Sequence, residues 1–153
     1  MEFRVLGSTG ISVSAISFGA GPVPALMTDA SQANPQREAI RHAIEAGINW
    51  FDTAATYGDG ESERSLGAAL KELGALSRVH VATKVRVMPD QLDSIKESVK
   101  GSVYASLRRL QLERVPLIQL HNPITRNRGD QFTSITANDV LGADGVLSAC
   151  RDL

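Results

Sequence analysis

Apolar and polar positions change their period along the chain. Phe3 to Leu6 and Ile11 to Ser14 read as two short strands, with Gly7-Ser8-Thr9-Gly10 between them as a hairpin turn. Ala15 to Phe18 is a third short apolar run, stopped by Gly19, and a loop with Gly21, Pro22 and Pro24 follows. The period then lengthens. Asn34 and Pro35 read as the N-cap and first position of a helix whose apolar residues are Ala39, Ile40, Ala43 and Ile44, with Gly47 as its stop. Ile48 to Phe51 is a strand ending at Asp52. Ser62 reads as the cap of the next helix, with Glu63 in its first turn, Leu66, Ala69, Leu70 and Leu73 on one stripe, and Gly74 at its close. Val79 to Thr83 is a strand ending at Lys84. Asp90 reads as the cap of a long helix carrying Leu92, Ile95, Val99, Val103, Leu107 and Leu110. Val115 to Leu120 is a strand ending at His121.

Short strands alternating with helices of this length predict parallel βαβ units in an α/β fold. The strands are apolar on both faces, as strands covered by helices are. After His121 the signal fades. Residues 124–136 are polar and loop-like, and Asp144, Val146, Leu147 and Cys150 predict the start of a further helix.

Composition narrows the class of function. Lys plus Arg is 16 and Asp plus Glu is 17, for a net charge of −1, which predicts neither a nucleic-acid-binding arm nor a polyacidic tail. The single cysteine, Cys150, forms no internal disulfide and supplies no multi-cysteine zinc site, consistent with a reducing, cytoplasmic setting. His42, His80 and His121 lie far apart, without helix-spaced metal ligands, so no metal is expected. The uncharged run from Val5 to Thr28 is broken by glycines and prolines, whereas a spanning helix needs about 20 mostly apolar residues. Glu2 argues against a signal peptide. No nucleic-acid or membrane partner is expected.

The candidate chemistry lies at the strand ends. Asp52, Lys84 and His121 each follow an apolar strand at its C-terminal end, and right-handed crossovers bring such ends to one edge of a parallel sheet. Neighbouring strands are about 4.8 Å apart, so Asp52 is expected to face Lys84, and Lys84 to lie next to His121. Tyr57, in the loop after Asp52, can fold over that edge. A free tyrosine has a pKa of about 10, and a nearby ammonium favours its phenolate. Lys84 is the candidate ammonium, Asp52 its counter-charge, and His121 a hydrogen-bonding group for a substrate oxygen. The reaction expected is proton delivery to an oxygen that becomes negative, such as a carbonyl receiving hydride. Each residue also has a plainer reading: Asp52 and Lys84 as a structural ion pair, His121 as a satisfied polar residue, Tyr57 as an ordinary loop residue. Gly19-Ala20-Gly21 precedes no clear helix and is not a dinucleotide fingerprint. Met27, Met88 and Trp50 read as packing residues, and Arg41 and His42 as a solvent-facing pair.

These residues resemble the N-terminal half of an aldo-keto reductase. The resemblance runs through Phe3-Arg4-Val5-Leu6-Gly7, Thr9-Gly10, Val13-Ser14 and Phe18-Gly19. It continues through Asn49-Trp50-Phe51-Asp52-Thr53-Ala54, Tyr57-Gly58, Gly60, Ser62-Glu63 and Leu66-Gly67, then Ala82-Thr83-Lys84-Val85, Ser106-Leu107, Arg109-Leu110 and Gln119-Leu120-His121-Asn122-Pro123. It implies the N-terminal half of a TIM-type (β/α)8 barrel, with a hairpin over residues 1–14 and the first four βα units over 15–153, in a single, incomplete barrel domain. It implies reduction of aldehydes or ketones, or oxidation of alcohols or sugars, with NADP(H) or NAD(H). Asp52, Tyr57, Lys84 and His121 fall on the family's catalytic four, with Tyr57 as general acid. Gly19, Ala20 and Asp52 would touch the nicotinamide ribose, and Asn122 would lie beside the nicotinamide pocket. A full barrel has eight units and about 250 residues. The phosphate-binding part of the family's cofactor pocket is expected outside these four units, so the chain reads as a truncated form. The alternatives are a non-catalytic cofactor-binding or regulatory subunit, and an inactive fragment. The expected partners are a small carbonyl or sugar substrate, and a second half-barrel through exposed sheet edges, self-association included.

Overall fold

The computed structural model describes residues 1–21 and 26–153. Pro22 and Pro24 of the expected loop lie outside the described residues. The described chain divides into two compact units, one of residues 1–83 and 106–118, the other of residues 84–105 and 119–153.

The first unit opens with β1 (Phe3–Val5) and β2 (Ser12–Ser14), an antiparallel hairpin with Phe3 opposite Ser14. The strands β3 (Phe18–Gly19), β4 (Trp50–Asp52), β5 (His80–Val85) and β6 (Leu117–Leu120) follow and form one sheet in that order. β3 and β5 both run parallel to β4, with Gly19 and Ala82 in register with Asp52. The sheet is therefore the parallel α/β sheet expected, open rather than closed among the described strands. Between its strands come α1 (Ala33–Glu45), α2 (Glu61–Glu72) and α3 (Ile95–Leu110).

Packing in the first unit follows the apolar stripes. Ile40 and Ala43 of α1, and Leu66, Ala69 and Leu70 of α2, form one buried cluster with Phe51, Val81 and Leu110. Phe51 is fully buried, and its ring lies 5.3 Å from that of Phe18. α3 approaches α2 through Gly67: a Cβ there would stand 2.4 Å from the Leu110 carbonyl oxygen, so only a glycine permits this contact.

Three caps differ from the sequence reading. α1 starts at Ala33, so Asn34 and Pro35 lie inside its first turn. The capping side chain is Asp29, whose carboxylate accepts the Ser31 N–H at 2.9 Å in a 3₁₀ turn (Ala30–Gln32) leading into α1. Asn34 instead accepts from Arg37 at 3.0 Å. α2 is capped by Gly60, in the left-handed region at φ 84°, which leaves Ser62 inside the helix. Asp90 belongs to a 3₁₀ turn (Pro89–Gln91), and α3 begins only at Ile95, after Leu92. β3 comprises Phe18 and Gly19, so the strand falls at the end of the apolar run from Ala15 rather than throughout it.

In the second unit, the expected helix near Val146 is α5 (Val146–Arg151), and α4 (Ala137–Leu141) precedes it. Ile124 and Ile135 form an isolated parallel bridge that closes the neck of the intervening loop. No described helix is long and apolar enough to cross a membrane.

Candidate active site

In the first unit the candidate residues Gly19, Ala20, Asp52 and Tyr57 gather at the ends of β3 and β4. The Ala20 N–H donates to the Asp52 carbonyl at 2.7 Å, and the Thr53 N–H donates to the Ala82 carbonyl at 2.9 Å, so the strands stay tied one residue past their register. Side chains alternate across a strand. Phe51 and Thr53 are fully buried, and Asp52 between them points to the opposite face, half-buried. Gly19 stands beside Asp52, and among the described residues no atom lies within 4 Å of the position a Cβ on Gly19 would take. Tyr57 lies in the loop from β4 to α2, half-buried, with its N–H on the Ala54 carbonyl at 3.1 Å. Its ring lies over Gly21, where a Cβ would come within 3.8 Å of it.

A buried polar layer supports this end of the sheet. The Ser62 hydroxyl donates to the Ala20 carbonyl at 2.6 Å and pairs with the Thr53 hydroxyl at 2.9 Å. The Thr83 hydroxyl, one residue before Lys84, donates to Glu63 at 2.5 Å. The other Glu63 oxygen accepts from Arg109 Nε at 2.6 Å, and Arg109 also donates to Ser106 Oγ at 3.1 Å. Glu63 is fully buried, so its charge is offset by Arg109 inside the fold as well as by the N-terminal end of α2. Arg109 passes beneath Gly60, where a Cβ would stand 2.6 Å from its side chain.

In the second unit, Lys84 is half-buried in β5, between Thr83 and Val85, both buried. His121, half-buried, follows β6 directly. Its N–H donates to the Val85 carbonyl at 2.8 Å, and its carbonyl accepts from Arg86 Nε at 3.3 Å. Asn122 extends this pairing with its side chain. Its oxygen accepts the Val87 N–H at 2.8 Å, and its NH₂ donates to the carbonyls of Val87 at 2.7 Å and Thr133 at 2.6 Å. Both amide protons are thereby used within the fold, so the residue read as a neighbour of the nicotinamide also locks the loop after His121. Further along that loop, Arg128 forms a two-point ion pair with Asp139, which caps α4 together with Thr136. The Arg128 guanidinium holds the Asp139 carboxyl well below the usual carboxylate range.

Gly19, Ala20, Asp52 and Tyr57 are thus drawn to one end of β3 and β4. His121 and Asn122 are fixed on the segment that runs on from Lys84. Sequence reasoning missed the supporting partners: Ser62 as more than a cap, the Glu63–Arg109 pair, and the Asn122 clamp. Among the described residues no group of three or more His, Cys, Asp or Glu is placed to hold a metal.

The parallel sheet with its polar strand ends defines a class, and comparison with known proteins places the chain within it. The family model described as "Aldo/keto reductase family" matches residues 15–145, and the chain belongs to that family. It is 38% identical to the L-galactose dehydrogenase of Arabidopsis thaliana over 137 residues, 89% of this chain and 42% of that protein. Among solved structures it is similar to the holo form of aldo-keto reductase AKR11C1 from Bacillus halodurans, with a TM-score of 0.68 and 36% identity over 80% of this chain and 40% of that one. It is also similar to an aldo-keto reductase from Klebsiella pneumoniae in complex with NADPH, with a TM-score of 0.61 and 31% identity over 72% of this chain and 36% of that one. The chain spans about four tenths of the length of these relatives.

Proposed function

We propose that this chain carries the proton-transfer machinery of an NAD(P)(H)-dependent oxidoreductase that reduces aldehydes or ketones or, in reverse, oxidises alcohols or sugars with NAD(P)⁺ as the hydride acceptor. The observation that carries the reading is the gathering of Tyr57, Asp52 and the Gly19 backbone at one strand end, in a chain similar to an aldo-keto reductase solved in complex with NADPH. A reduced nicotinamide supplies hydride to a carbonyl carbon when bound. Gly19, Ala20 and Asp52 are the residues that would hold its ribose, and Asn122 would stand beside its ring. Tyr57 donates its phenolic proton to the oxygen that becomes negative. Lys84, balanced by Asp52, favours the phenolate left behind. His121 hydrogen-bonds the carbonyl oxygen and turns it toward the phenol.

Titration of this chain with NADPH, followed by nucleotide fluorescence alongside its solution mass, tests the cofactor part. Saturable binding that weakens on Asp52→Ala supports the reading; no binding removes the cofactor roles from this chain. Binding without turnover of any carbonyl supports a non-catalytic cofactor-binding subunit instead.

A further inference from the structure

We propose that Ser62 is the positioning residue for Tyr57, holding at once the tyrosine's own backbone and the peptide beneath its ring. The inference rests on the reading of Tyr57 as the proton donor. Ser62 is fully buried in the first turn of α2. Its N–H donates to the Tyr57 carbonyl at 3.2 Å, and its hydroxyl donates to the Ala20 carbonyl at 2.6 Å. A hydroxyl has one proton to give, so Thr53 is the donor in the 2.9 Å pair it forms with Ser62. The Ala20 carbonyl belongs to the peptide that joins Ala20 to Gly21, and Gly21 lies under the Tyr57 ring. Holding that carbonyl sets the peptide plane, and with it the floor on which the ring rests. The same segment is tied to β4 by the Ala20 N–H on the Asp52 carbonyl. The ends of β3 and β4 and the tyrosine loop therefore meet on one residue.

The residue type supports the assignment. The N-cap of α2 is Gly60, so the helix does not use the serine hydroxyl as its cap. Inside a helix alanine is the better former, and a buried hydroxyl is tolerated only when it is paired. Here both of its hydrogen bonds run outward, one to the Ala20 carbonyl before Gly21, under the Tyr57 ring, and the other to Thr53, the residue after Asp52. A misplacement of about 1 Å in a reacting group is enough to slow catalysis about a hundredfold. Ser62 touches no reacting atom and acts only through Tyr57.

The chain has two tyrosines, and Tyr104 is exposed on α3. In a Tyr104→Phe background, tyrosine labelled with ¹³C at the ring ζ carbon therefore gives one resonance, that of Tyr57. Ser62→Ala is expected to shift or broaden it, Ser62→Cys to do the same with a side chain of similar size and a weak donor, and Ser62→Thr to return it toward its starting position. Leu66→Val, a buried packing change on the same helix, is expected to lower the melting temperature and leave the resonance in place. The proposal is overturned by an unmoved resonance in Ser62→Ala or Ser62→Cys, or by an equal displacement in Leu66→Val. The readout needs no turnover. Activity retained in Tyr57→Phe would remove the proton-donor reading and leave a displaced resonance standing, whereas an unmoved resonance removes the positioning role whatever Tyr57 does.

Discussion

Arg109 on α3 donates from Nε to Glu63 on α2 at 2.6 Å, and the carboxylate it meets is fully buried. Glu63 also accepts from Thr83, so this pair joins two helices to β5. Removing one member of a buried pair leaves the other charge uncompensated, at a cost of about 3–5 kcal/mol. Arg109→Ala is accordingly expected to lower the urea midpoint strongly. Glu63→Gln, which can still accept from Thr83, is expected to cost less; an equal loss would mean that the penalty does not come from leaving the buried carboxylate unpaired.

The contact between α2 and α3 depends on a missing side chain. Gly67→Ala would place a methyl 2.4 Å from the Leu110 carbonyl, forcing the helices apart at a cost of about 1–3 kcal/mol. Gly101, inside α3, has no atom of the described residues within 4 Å of its Cβ position. Gly101→Ala is expected to stabilise by about 0.5–1 kcal/mol through helix propensity alone. Chemical denaturation of the two variants should give shifts of opposite sign.

Asn122 fills three hydrogen bonds with one side chain. Asn122→Ala leaves the Val87 N–H without that acceptor, and an unsatisfied buried group costs about 1–3 kcal/mol. Amide exchange is expected to quicken at Val87 and across residues 124–135, while Ile40 and Leu70, in the core of the other unit, keep their protection. Unchanged exchange in the loop would show that the isolated bridge and its own hydrogen bonds close it unaided.

Asp139 couples the second unit to pH. Its carboxyl is held below the ordinary value, first by Arg128 and then by Thr136, against the opposing effect of burial. A depressed carboxyl contributes stability that is fully present above its unfolded value of about 3.9 and is lost as pH falls through the folded value. Between pH 5 and pH 2 the wild-type urea midpoint is expected to fall more steeply than that of Asp139→Asn. Parallel curves would contradict the role given to the pair.

The alternation of strands and helices was legible because it rests on local periodicity, which the packing around Phe51, Leu66 and Leu70 obeys. The strand-end positions of Asp52 and His121 were legible for the same reason, whereas Lys84, expected just past the end of its strand, lies within β5, which continues to Val85. Caps were less so. A Ser before an apolar run is a capping signal only when the chain turns there, and at Ser62 the turn occurs two residues earlier, in the left-handed conformation of Gly60. The partner of Glu63 lies 46 residues away and that of Asn122 lies 35 away, so no window along the chain contains either bond. α4 is the exception that a local signal could have found, since Thr136 and Asp139 cap its first turn reciprocally at the spacing of a capping box.

Proton donation by Tyr57 is tested most directly by one comparison. NADPH oxidation in the presence of an aldehyde is followed for this chain and for its Tyr57→Phe variant, with NADPH binding measured in both. Loss of a general acid slows a reaction by about 10²–10⁴-fold, so the variant should bind NADPH as the parent does and lose turnover by that factor. Equal turnover in the two, or a parent chain that binds NADPH and reduces no carbonyl, would show that Tyr57 is not the proton donor of a reductase.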